Sequence, residues 1–349
     1  MQKSFVDITT MHLGGVASDY HLAESADEAV ELTRSADADG IPVLVVGGGS
    51  NLVVGDSGFD GRVLHVGFSG IRVDDDLIAV DAGTDWDSVV ATTIEDGFGG
   101  LETLSGVPGS TGGTPVQNVG AYGTLISEYL EYVTVYDRQS REVTTIAGAD
   151  CGFGSHRQSI FKHSDRWVIL TVHLRLPRTT TSQPIRYAGL AQALGCEIGD
   201  RAPVDEVRQT VLELRRSRGM VYDESDRDTW CVGSFFINHV LKEVPAKAAA
   251  APTYPDPAGI KLPAGWLIDH AGFPPGYGAD FARGRVRLSP RHALVVTNRG
   301  DATTAEVMAF AAHIREGVEA AFDIRLGPEC DLVNCSFDDA PPDWLAELI

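Results

Sequence analysis

The chain has 349 residues, 43% of them apolar and 22% charged, with a formal net charge of −21. That length exceeds one ordinary core and predicts two or three domains, while the apolar share is that of a globular protein. The acidic balance excludes general binding of nucleic acid or anionic membranes, which needs clustered Lys and Arg, so an anionic ligand must be held locally against the protein's own field.

The first fifteen residues contain no apolar core of signal-peptide length, and no uncharged apolar run approaches the roughly 20 residues of a membrane span. A cytoplasmic protein without membrane insertion is expected. Residues Ala26 to Ala36 predict a short helix, Asp39-Gly40 a turn, and Ile41 to Val46 a β-branched strand that stops at three glycines. Further strands are expected over Val63 to Val66 and Leu77 to Asp81, then a helix over Asp85 to Asp96, a long glycine loop, and strands near Val133 to Asp137, Glu142 to Ile146 and Val168 to Leu176. This order is mixed α+β, not a repeated βαβ unit.

Val204, Val207, Val211 and Leu214 recur at helical spacing and predict an amphipathic helix ending near Gly219, where a domain boundary is placed. The Pro, Gly and Ala-rich stretch Pro245 to Gly265 reads as a long surface loop. Thr303 and Glu306 form a capping-box pattern ahead of a last helix whose apolar face is Val307, Phe310, Ala311, Ile314 and Val318. Five cysteines, Cys151, Cys196, Cys231, Cys330 and Cys335, are odd in number and lack CxxC spacing. Neither a disulfide framework nor a metal site is indicated, and buried or incidental thiols are expected.

Two glycine loops carry the strongest chemical signal. One is VVGGGSNL, with Gly47, Gly48, Gly49, Ser50 and Asn51; the other lies in LSGVPGSTGGTPVQNVGAYG, with Gly106, Pro108, Gly109, Ser110, Gly113 and Gly120. Small residues let backbone N–H groups approach a ligand closely. No Lys or Arg occurs between Arg34 and Arg62 or between Arg72 and Arg138, so a pyrophosphate here would rest on main-chain amides, aided if one loop opens a helix. Neither loop fits GxGxxG or GK[ST], which disfavours a Rossmann nicotinamide site and a P-loop.

Three more places stand out. GSFF at Gly233 to Phe236, with Asn238 close behind, either presents a hydroxyl and an amide to a site or is a turn entering a buried strand. Arg157 in SHRQSIFKH could pair bidentately with a ligand carboxylate or form a structural salt bridge. Glu329 in LGPECDLV faces inward or occupies a surface turn. The arginine groups Arg215, Arg216, Arg218 and Arg283, Arg285, Arg287 offer either local anion attraction or solvated faces.

In chain order, VVGGGSNL, GVPGSTGGTPVQNVGAYG, HRQSIFKH, GSFFINHV, PTYP with AGWLID, and LGPE resemble the UDP-N-acetylenolpyruvoylglucosamine reductase family, over nearly the whole chain up to about Val333. The resemblance implies an α+β fold of the vanillyl-alcohol-oxidase type. Two FAD-binding α+β subdomains, 1–70 and 71–218, are expected with a third, substrate-binding α+β domain at 219–325 and a C-terminal segment, 326–349, returning to the active site. It further implies FAD as cofactor, NADPH as hydride donor and UDP-N-acetylglucosamine enolpyruvate as substrate, with no nucleic acid and no obligate protein partner.

By position, Arg157 and Glu329 match the family's pair that stabilises an enol intermediate, and Ser234 matches its proton donor. Tyr187, Arg218, Asn238, Tyr254 and His292 fall where the family contacts the sugar nucleotide. Two stretches depart from the family pattern: MHLGG stands for an Asn-Thr-Leu-Gly type of sequence, and SRGMVYD replaces Lys-Leu-Pro-Asp, leaving Arg218 as the nearest stand-in for a phosphate-binding lysine. Two alternatives predict different behaviour. A flavin oxidase of this fold would react with oxygen and not need Ser234, Arg157 and Glu329, and a catalytically silent nucleotide-binding protein would keep only the glycine loops.

Overall fold

A computed structural model describes residues 2–154 and 159–337. Its packing divides the chain into two compact units. The central unit is Asp19–Gly48 with Gly61–Val221; the terminal unit combines the chain up to Ser18, Gly49–Asp60, and the chain from Tyr222 on.

In the central unit, helix α1 (Ala26–Asp39) starts at Ser25, whose hydroxyl accepts from Glu28 N at 3.1 Å, and ends at Gly40 in the left-handed region, φ 66°. It runs past the expected Ala36 because nothing before Gly40 breaks it. The strand Val43–Val46 then pairs in parallel with Phe59–Val66, Val46 opposite His65. An antiparallel five-stranded sheet follows, in the order Glu142–Ala147, Leu130–Asp137, Trp167–Arg175, Leu77–Asp81, Ile71–Asp74. Helix α2 (Trp86–Glu95) is capped by Asp85, and its Trp86, Val89 and Val90 are fully buried in one core with Val80, Val133, Val135 and Val172. Helices α3 (Ala188–Leu194) and α4 (Val204–Ser217) close a smaller core, Val207 and Val211 packing with Ile185, Leu190 and Ala191.

The terminal unit corrects one expectation. The stretch Pro245 to Gly265 is not a structureless loop: Tyr254–Asp256 and Gly259–Leu262 form a hairpin whose second strand also pairs with His239–Leu241. Its proline content hid the pattern. Pro255 sits on the edge strand, where a missing N–H is tolerated, and the turn is fixed by Asp256 Oδ1 accepting from Ala258 N at 3.0 Å.

Helix α5 (Ala264–His270) leads to a second hairpin, Val286–Ser289 with His292–Asn298, and to helix α6 (Thr304–Phe322). The capping box is formed: Glu306 N donates to Thr303 Oγ1 at 3.2 Å, and Thr303 N donates to Glu306 Oε2 at 3.0 Å. All five residues of the expected α6 face are fully buried. The strand Asp331–Val333 finally runs parallel to Leu52–Val54. Among the described residues, no helix is long and apolar enough to cross a membrane.

Replacing Thr303 by Ala removes one side of this cap and is expected to cost about 1 kcal/mol. Urea unfolding of the variant should show a lower midpoint; an unchanged midpoint would mean that the helix start is held by something else.

Candidate functional site

Glycine backbone is what lets the two loops meet. In the central unit a Cβ on Gly47 would lie 2.0 Å from Ser110 Oγ, and one on Gly48 would lie 2.7 Å from Gly109 Cα. The second turn hangs from the sheet side of the fold through Thr111 N to Thr84 O and Gly112 N to Ala82 O, both 2.8 Å, and through Trp86 N to Gly109 O at 3.0 Å. Gly106, at φ 70°, donates its N–H to Asp87 Oδ1 at 2.6 Å, while Arg208 pairs bidentately with the same carboxylate at 2.7 and 2.9 Å. Burial pushes the Asp87 carboxyl up, but the Arg208 guanidinium and the Gly106 amide outweigh it, so its net shift is downward and it stays ionised.

Within the described residues the backbone N–H groups of Gly47, Gly48, Gly109 and Ser110 donate to no protein acceptor. They form a set of unspent donors on touching turns, as a diphosphate requires. Close by in sequence, the side-chain oxygen of Gln117 is buried with no hydrogen-bond partner among the described residues, an acceptor left for a ligand donor. Both observations fit FAD. Neither loop opens an α-helix: the first runs into the strand Leu52–Val54 and the second into a three-residue turn, Thr111–Gly113. What the two turns themselves offer an anion is their amides, without a helix dipole. Pro108 is half-buried, Gly113 is exposed with open space around its Cα, and Gly120 starts a two-residue strand pairing with Leu125.

The unit division falls inside the first loop, so Gly49, Ser50 and Asn51 belong to the terminal unit. Gly49 has φ 61°, and a Cβ there would lie 2.0 Å from Ile8 O. Asn51 O accepts from Asp331 N at 2.8 Å, which ties the loop to the segment bearing Glu329. Glu329 N in turn donates to Phe235 O at 2.9 Å, and Ile237 N donates to Gly327 O at 3.0 Å. The GSFF and LGPE segments are therefore backbone partners although distant in sequence. Gly233 turns at φ 72°, and Phe235 and Phe236 are buried at 0% and 1% exposure, which leaves Ser234 half-buried at the edge. GSFF enters no regular strand: its Phe236 makes an isolated antiparallel bridge with Pro328. Arg157 lies outside the described residues.

The expected substrate contacts divide. Tyr187 is exposed at the start of α3, its ring edge-on to Tyr122 at 5.3 Å, and Arg218 caps the end of α4; both belong to the central unit. Asn238, Tyr254 and His292 belong to the terminal unit. Asn238 Oδ1 accepts from Ala264 N at 3.0 Å, so its carbonyl serves the start of α5. Tyr254 is exposed on the hairpin edge. His292 Nδ1 accepts from Leu294 N at 3.0 Å, which puts the proton of the neutral ring on Nε2 and makes that nitrogen a donor.

Several arginines are already engaged. Arg215 is 9% exposed with Nη2 donating to Met220 O at 2.9 Å, Arg285 pairs with the fully buried Glu306, and Arg287 with Asp228 at 3.3 Å. The five cysteines are free thiols, and that of Cys330, beside Glu329, is pushed far up by burial and by the neighbouring carboxylates. The two stretches that depart from the family pattern touch each other: His12 Nε2 lies 2.8 Å from Tyr222 Oη, and the His12 ring packs on Trp230 at 4.1 Å. Sequence reasoning missed Gln117, Asp331 and Thr10. Gln117 had a signal, an amide inside an uncharged loop, whereas the partners of the other two are remote in sequence.

Comparison with known proteins agrees with this geometry. Residues 19–146 match the FAD binding domain family, and residues 224–333 match the UDP-N-acetylenolpyruvoylglucosamine reductase C-terminal domain family. The UDP-N-acetylenolpyruvoylglucosamine reductase of Saccharopolyspora erythraea is 46% identical over 346 residues, covering 94% of this chain and 94% of that relative. That of Thermobifida fusca is 47% identical over 338 residues, covering 92% and 94%. The crystal structure of the Thermus caldophilus reductase superposes with a TM-score of 0.66 at 23% identity, over 95% of this chain and 98% of that one, and shows the same fold.

Gly48→Ala puts a methyl into the Gly109 backbone and must push the turns apart. The purified variant is expected to retain at most a tenth of the FAD per chain held by the parent, read from the flavin absorbance, a loss of about 1.4 kcal/mol or more in binding. Full retention would mean that the two turns do not form the cradle.

Proposed function

Because the chain belongs to the UDP-N-acetylenolpyruvoylglucosamine reductase family and is an FAD oxidoreductase, we propose that it reduces UDP-N-acetylglucosamine enolpyruvate to UDP-N-acetylmuramate with NADPH, in the cytoplasm, for peptidoglycan precursor synthesis. The observation that carries this reading is the backbone hydrogen bond from Glu329 N to Phe235 O, which joins the segment bearing Ser234 to the segment bearing Glu329. FAD, when bound, supplies the two-electron relay that takes hydride from reduced nicotinamide and gives it to the outer carbon of the enolpyruvyl double bond.

The protein's own task is the charge that this addition leaves on the inner carbon and the carboxylate. In the proposed mechanism Glu329 and Arg157 hold that enol form, and Ser234 gives its hydroxyl proton to the inner carbon. One hydride and one proton then complete the saturated lactyl ether, and solvent reprotonates the serine. A hydroxyl is a weak acid near neutrality, so Ser234 works only if fixed within hydrogen-bond reach of a strongly basic carbon. The buried pair Phe235 and Phe236 supports that fixation by anchoring the residues that follow it. Tyr187, Arg218, Asn238, Tyr254 and His292 are proposed to orient the sugar nucleotide, with His292 donating from Nε2.

In anaerobic half-reactions NADPH should bleach the flavin absorbance and the enolpyruvyl substrate should restore it. Reoxidation by oxygen with no response to that substrate would favour an oxidase instead. In Ser234→Ala, flavin reduction is expected at the parental rate while substrate-driven reoxidation falls roughly a hundredfold or more. Parental reoxidation in this variant removes Ser234 from the role.

A further inference from the structure

We propose that Thr10 is a positioning residue that sets Ser234 relative to the Gly49–Asn51 end of the first glycine loop. This rests on the proposed role of Ser234. Thr10 N donates to Gly49 O at 3.2 Å, and Thr10 Oγ1 donates to Cys231 O at 2.7 Å. Cys231 Sγ accepts from Gly233 N at 3.4 Å, and Gly233 at φ 72° turns the chain into Ser234. On the opposite side, Asn51 O accepts from Asp331 N, and Glu329 N donates to Phe235 O.

These bonds close a circuit within the terminal unit: glycine loop, Thr10, Cys231, Ser234, Glu329, Asp331, and back to the loop. The Asp331 side is backbone pairing, continued by the parallel strand Asp331–Val333. On the Thr10 side the direct hydrogen bond to Cys231 is one hydroxyl, beside the His12–Trp230 packing and Asn298, whose Nδ2 donates to Met11 O and whose N donates to Trp230 O, both at 3.0 Å. The loop also presses on this segment, since a Cβ at Gly49 would meet Ile8 O at 2.0 Å and Thr9 Cα at 2.8 Å. A displacement at Thr10 has little slack to absorb it. Threonine suits the task because its β-branch restricts χ1 and aims the hydroxyl, whereas serine would donate the same bond with more freedom.

Thr10→Val removes the hydroxyl but keeps the shape and the N–H bond to Gly49. In the holoenzyme, reduction by NADPH should stay within about twofold of the parent, and FAD affinity of the apoprotein, read by flavin fluorescence, should do the same. Substrate-driven reoxidation should slow about tenfold with a larger solvent isotope effect, because proton delivery becomes more limiting. Thr10→Ser should recover most of the rate.

Parental reoxidation overturns the proposal. So does equal slowing of both half-reactions with a lower unfolding midpoint, which marks a merely structural hydroxyl. Should Thr10→Val not fold, Thr10→Ala is read in the same way, and failure of both to fold also overturns it. Ser234→Ala run in parallel separates the two claims. If that variant reoxidises normally, the functional reading fails and this inference falls with it; if it is slow while Thr10→Val is normal, only the inference about Thr10 fails.

Discussion

The close approach of Gly47–Gly48 to Gly109–Ser110 constrains the rest of the central unit's chemistry. At separations that leave no room for a Cβ on Gly47 or Gly48, the first turn must be glycine-built, and among the described residues the amides of Gly47, Gly48, Gly109 and Ser110 have no protein acceptor. A buried or half-buried N–H with no partner costs folding free energy, so such a cluster is tolerated where a ligand satisfies it. Strand Val43–Val46 and the capped helix α2 are the rigid supports that hold the two turns at that distance.

In the proposed mechanism the terminal unit has a different task, that of aiming weak functional groups. Ser234 and Glu329 have no unusual chemistry individually; their use depends on geometry. That geometry is supplied by backbone pairing between GSFF and LGPE, by the aromatic anchors Phe235 and Phe236, and by the return of the chain as a strand beside Leu52–Val54. Cys330 sits inside this arrangement as a buried, protonated thiol, so it packs and does not compete as a nucleophile.

Much of this was legible in the residues because local rules and tertiary packing agreed. The α6 capping box and its five-residue apolar face needed no long-range information, and the glycine loops announced close backbone contact by composition. What escaped the sequence was non-local. The hairpin at Tyr254–Leu262 was masked by a proline that only an edge strand tolerates. The engagement of Arg285 and Arg287 by Glu306 and Asp228, and of Thr10 by Cys231, depends on partners that spacing cannot indicate. The link between His12 and Tyr222 is of the same kind: two departures from a family pattern become intelligible once they are seen to touch.

Amide dipoles and ion pairs respond oppositely to salt. The loops carry no Lys or Arg and the whole protein is strongly negative, with a net charge of −21, so added salt should screen repulsion of the FAD diphosphate without breaking any cation contact. The most direct test is the dissociation constant of FAD from the apoprotein across a range of sodium chloride concentrations. The amide cradle predicts an affinity that stays level or rises with salt; an affinity that falls steeply would show that charged side chains hold the cofactor and would contradict it.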